Sequence, residues 1–131
     1  MYSNASLKKA FKPTAAISGF LAVKFGADDQ TITLATAVTD LVIGFMNEIP
    51  AVALDITNGN TVDVVIDGIA EASVGAAVVR GSRLTIDSVG RVVTAAPAAG
   101  VNNQIIGIAM ASAASADEII PVLIDRSVMQ G

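Results

Sequence analysis

Valine and isoleucine outnumber leucine 30 to 7 in this chain, with 16 Val and 14 Ile against 7 Leu. Branching at Cβ stiffens χ1 and packs well on a pleated surface, so an excess of this size favours strands. Alternation agrees. Ile17, Gly19, Leu21, Val23 and Phe25 alternate with Ala16, Ser18, Phe20, Ala22 and Lys24, and Ile32, Leu34 and Val38 alternate with Thr31, Thr33 and Thr39. Val52, Leu54 and Ile56 precede Asn58-Gly59, and Val62, Val64 and Ile66 follow it, with Asp63 and Asp67 outward. Asn-Gly supplies the positive φ angles of a type I′ turn, so the pattern predicts a β-hairpin closed at Gly59. Further strands are expected over 76–79, 84–87, 91–95, 105–111 and 118–124, with turns at Arg80-Gly81-Ser82 and Ser88-Val89-Gly90. No segment after Phe25 sustains a 3.6-residue period with caps, and the one helix expected is a turn or two between Ser6 and Phe11. The fold class predicted is all-β: a small sandwich or barrel of short antiparallel strands.

The length of 131 residues suits one domain. Charge divides the chain. All four lysines (Lys8, Lys9, Lys12 and Lys24) lie in the first 25 residues, which hold no acid; the remainder carries four Arg and all twelve acids, for a net −4 overall. We therefore expect an extended basic N-terminal arm over 1–14 and a single β-rich domain over 15–131. A basic arm on an acidic body suits electrostatic contact with a partner surface. Lys8, Lys9 and Lys12 are the candidate contact residues, with Leu7 and Phe11, four apart, as an apolar stripe beside them. A solvated terminus would carry the same charges.

Cysteine, histidine and tryptophan are absent. This excludes disulfides, thiol nucleophiles, Cys/His zinc sites and imidazole chemistry. The segment from Gly75 to Ser82 lacks the spacing and lysine of a P-loop, and neither G-x-G-x-x-G nor G-x-S-x-G occurs. Carboxylate pairs at Asp28/Asp29, Asp63/Asp67 and Asp117/Glu118 sit where solvated acids are expected. Asp55, Asn58, Asn60 and Asp63 lack the spacing and closing Glu of an EF-hand. No catalytic, metal or cofactor residues are assigned. Negative net charge and 4% aromatics disfavour nucleic acid. The longest uncharged stretch, 92–116, is interrupted by Pro97, Gly100, Gly107 and a run of Asn and Gln, so no membrane span is expected. The mild run 14–23 lacks a signal-peptide cleavage site, and the chain is read as soluble and unprocessed.

There is an internal echo. Val42-Ile43-Gly44-Phe45-Met46 resembles Ile105-Ile106-Gly107-Ile108-Ala109, and each is followed by an acid-ended apolar run, 62–67 or 119–125. Duplication and simple reuse of a glycine-centred strand both account for it.

The second half carries an ordered set of motifs: Gly75 and Gly81, the turn Asp87-Ser88-Val89-Gly90-Arg91, Pro97 and Gly100, Ile106-Gly107-Ile108-Ala109, and the closing apolar run 117–124. This arrangement resembles the capsid decoration (cement) proteins of tailed bacteriophages. The resemblance implies a β-tulip-like domain, a homo-oligomer, commonly a trimer, and a place on the outer capsid surface of the virion. The partner it implies is the major capsid protein, bound where coat subunits meet so that the head resists internal pressure, with no catalysis and no cofactor. Two rivals stand beside it: another virion subunit such as a tail tube or spike, and a trimeric dUTPase-like enzyme prompted by Val65-Ile66-Asp67-Gly68. The latter lacks the aromatic expected downstream and an Arg-Ser-Ser motif.

Overall fold

The computed structural model describes residues 4–131; residues 1–3 of the expected arm lie outside the described residues. Among them the chain forms nine strands and one short helix: β1 (Asn4–Pro13), β2 (Ala22–Phe25), β3 (Thr31–Leu34), β4 (Gly44–Met46), α1 (Ala53–Asn58), β5 (Val62–Ser73), β6 (Arg83–Ile86), β7 (Val92–Thr94), β8 (Asn102–Ala109) and β9 (Ile119–Gln130). The all-β expectation holds. The strands make one hydrogen-bonded sheet in the order β1-β3-β2-β4-β5-β9-β8-β6-β7, and a further β1–β5 pairing links its first five strands into a closed circuit. All named strand pairs are antiparallel except β1–β3, which is parallel at Lys12↔Thr31 and Pro13↔Ile32.

Three local expectations are corrected. The strand expected over 76–79 is reduced to an isolated bridge at Val78, which pairs with Ala113. The segment from Ser6 to Phe11 is strand, not helix: β1 pairs with β5 from Asn4↔Ile69 to Phe11↔Val62. Residues four apart share a face in a helix and also in a strand, so the Leu7/Phe11 spacing could not separate the two. The Asn58-Gly59 pair closes a helix, not a hairpin. Gly59 does adopt positive φ (68°), but as the left-handed C-cap of α1, donating to the Ile56 carbonyl. Asp55 fixes the start of the same turn by accepting the Val52 N–H at 2.9 Å. The same Asn-Gly signal serves either ending, and that acid tips the balance.

The sheet order is the same read outward in either direction from the β5–β9 junction: β5-β4-β2-β3 on one side, β9-β8-β6-β7 on the other. The registers match as well. Val23 pairs with Gly44 and Leu84 with Gly107; Phe45 pairs with Val65 and Ile108 with Leu123. Isolated bridges Ile17↔Ala51 and Val78↔Ala113 recur at the same points. The Met46 N–H donates to the Leu21 carbonyl at 2.9 Å, and the Ala109 N–H to the Ser82 carbonyl at 2.9 Å. The echo is therefore a structural repeat.

Two cores result. One gathers Phe45, Val65, Leu84, Ile86, Ile106 and Val122 with their neighbours; the other gathers Phe11, Ile17, Val23, Ile32, Met46, Val62 and Val64. Successive residues of β4 and β5 point to opposite cores, Phe45 against Met46 and Val65 against Val64, as the two-residue period of a strand requires. These two strands are the wall between the cores.

Candidate contact surface

The basic segment is built by β1 into the wall of the core that holds Phe11, Ile32 and Val62. Phe11 is only 3% exposed and anchors the strand, whereas Leu7 is 52% exposed and Lys8, Lys9 and Lys12 are all exposed. From Lys8 to Phe11 the pairing with β5 is continuous, so Lys8 projects from one face of the strand while Lys9 and Phe11 share the other. The Lys9 ammonium lies 4.7 Å from the centroid of the Phe11 ring, a cation–π contact, and the Phe25 ring meets Phe11 edge-on at 6.0 Å. Of the five sequence-predicted contact residues, the structure brings Lys9 and Phe11 together and sets Lys8 apart from them.

Lys9 and Phe11 line a cleft of about 400 Å³ that no motif or spacing foretells. Its apolar walls come from Phe25, the loop Leu41-Val42-Ile43 and Ile66, and its charged groups are Lys9, Arg126 and Asp29. The Arg126 guanidinium on β9 donates to the carbonyls of Val42 (3.1 Å) and Ile43, in the loop before β4, and of Ile66 (3.0 Å) on β5. It thereby ties β9 to that loop and to β5 beside the cleft. Nearby, Lys24 pairs with Asp40 at 3.0 Å. Partial burial pushes the Asp40 carboxyl up, and the Thr36 amide, Lys24 and the Ala37 amide together outweigh it, leaving the group below the usual carboxylate range.

The remaining polar chemistry is structural. Asp87 accepts the Val89 and Arg91 amides at 3.0 Å and the Arg91 Nε at 2.8 Å, so the D-x-x-G-R sequence is a self-bonded turn. Arg91 also donates to Asp117 at 3.1 Å, and Asp117 followed by Asp87 holds the guanidinium above its usual range. Glu118 accepts the Ser115 and Ala114 amides, which lower its carboxyl. Among the described residues no cluster of acids is placed to hold a metal ion, and no helix is long and apolar enough to cross a membrane. What the surface offers is a basic strand beside an apolar cleft, a geometry for binding another macromolecule.

Comparison with known proteins points the same way. The sequence matches the phage cement protein family over residues 3–124. No curated protein sequence matches it. Among solved structures, the chain is similar to the N base of the head fiber gp8.5 of bacteriophage phi29, with a TM-score of 0.64 at 12% identity, covering 95% of this chain and 98% of that one. At that identity the likeness is one of fold.

Proposed function

The chain belongs to the phage cement protein family, a family of structural phage proteins and not of enzymes, and from that premise we propose that it binds the outer surface of the capsid where coat subunits meet and stabilises the head. The dUTPase-like rival falls with the family. The partner in this reading is the major capsid protein, and the cement acts as a homo-oligomer, a trimer. One observation supports the mode of binding: Lys8 and Lys12 stand exposed on β1, a strand without a single acid, in a chain whose net charge is −4. Such a strand is drawn to an acidic surface, with partly exposed ion pairs worth up to about 1 kcal/mol each and weakened by salt. Leu7 adds an apolar contact that salt does not screen.

The test is co-sedimentation of the purified protein with undecorated expanded heads. The native chain should pellet with heads in saturable amount, and a Lys8→Glu/Lys12→Glu variant with unchanged circular dichroism should bind more weakly at low salt, the gap narrowing as salt rises. Equal binding of the two proteins at every salt concentration would remove β1 from the interface.

A further inference from the structure

We propose that the apolar cleft receives a second copy of this chain, through the loop and helix that follow β4. This rests on the homo-oligomer reading and names the surfaces that meet. The segment from Glu48 to Asp55 presents Ile49 and Leu54, each 64% exposed, with Val52 also exposed between them, and α1 buries none of its own residues. Three large apolar side chains thus stand exposed within six residues, a knob that no described residue buries. The cleft exposes Leu41 (61%) and half of Phe25, and its volume of about 400 Å³ compares with the roughly 150 Å³ that houses a benzene-sized group. Knob and cleft are matched in kind, both apolar.

Charge selects the pairing. The knob carries Glu48 and Asp55, and no lysine or arginine occurs anywhere from Phe25 to Val79. Asp55 is held ionised by the Val52 amide and then by Asn60. The cleft places Lys9 and Arg126 among its lining groups, with Asp29 the one acid, so an acidic knob is favoured on the Lys9 and Arg126 side. Leu41-Val42-Ile43 leads into β4, and the knob leaves β4 at its other end. Knob and cleft are thus different surfaces of the chain, and in this proposal the contact between copies is head to tail. Such a contact closes into a ring when the rotation permits and is distinct from a twofold, self-complementary one.

The chain contains no cysteine, which makes a clean test available. Leu41→Cys and Leu54→Cys are made separately, at exposed positions, and their fold is checked by circular dichroism. Each is treated with a short bis-maleimide, alone and mixed. A linked dimer from the mixture and none from either variant alone is the expected result. In light scattering, Leu54→Asp should raise the dissociation constant of the oligomer about tenfold or more, the effect expected for loss of one buried leucine. An oligomer that persists with neither cross-link nor sensitivity at Leu54 would overturn the knob-and-cleft contact while leaving the oligomer standing. A chain that stays monomeric at every concentration would overturn both.

Discussion

At the scale of single residues, Gly44 and Gly107 carry the most weight. A Cβ at Gly44 would collide with the Val65 carbonyl oxygen, and one at Gly107 with the Leu123 carbonyl oxygen, because each glycine lets its strand press directly on the backbone of the next. Gly44→Ala and Gly107→Ala should each destabilise the fold by about 2 kcal/mol or more, read from urea unfolding, since backbone cannot yield as a flexible side chain can. Thr85 tests the opposite sign. It is buried on β6, and among the described residues its hydroxyl finds no hydrogen-bond partner. Thr85→Val keeps the shape, removes the desolvated hydroxyl, and should stabilise by about 1 kcal/mol; a lower melting temperature would contradict that reading. The two glycines were legible in the sequence as a repeated I-G strand. Their partners in contact were not, because the strand each one meets lies 21 residues on at Val65 and 16 residues on at Leu123. The matching turn was also hidden: Phe20 (φ 66°) stands where the second half has Gly81 (φ 92°), and a phenylalanine gives no sign of a left-handed turn.

At the scale of elements, β1 decides how the basic segment can be probed. Phe11 lies in a core, and Pro13 is buried at the join with β3. Deleting residues 1–13 should therefore abolish cooperative unfolding, whereas reversing Lys8 and Lys12 should leave it unchanged; a truncated chain that melts like the native one would show β1 to be dispensable. The loops after the isolated bridges behave alike in the two halves. Asp55 accepts the Val52 amide, and Glu118 accepts those of Ala114 and Ser115, so both carboxyls sit below their ordinary range when folded. The sign follows directly: groups that are more acidic in the folded state add stability above the unfolded value near pH 4, and that stability is lost as pH falls through their folded values. Melting temperature should be flat between about pH 5 and 8 and fall below about pH 4. Glu118→Gln should make that acid-side fall shallower. The alternating patterns foretold most strands, yet α1 was missed because Val52, Leu54 and Ile56 alternate like a strand while lying on a turn with no core beneath it.

At the scale of the whole molecule, a repeated four-strand unit surrounds two cores that share β4 and β5 as a wall, and one guanidinium, that of Arg126, fastens β9 to β5 and the loop before β4. Arg126→Ala should cost about 1–2 kcal/mol through the loss of charge-assisted bonds to three carbonyls, measurable by thermal unfolding. Composition foretold the β fold and the absence of catalytic chemistry, and ordered motifs foretold the family. The cleft stayed invisible because its lining comes from β1, the end of β2, β5, β9 and two loops, which only the folded sheet brings together. In the function proposed above, the protein sits on the outside of the phage head at the junctions of coat subunits. The most direct test is an electron cryo-microscopy reconstruction of undecorated expanded heads after incubation with saturating purified protein. Added density is expected on the outer surface at those junctions, with β1 facing the coat. Heads that gain no density, or density confined to the portal or tail, would contradict it.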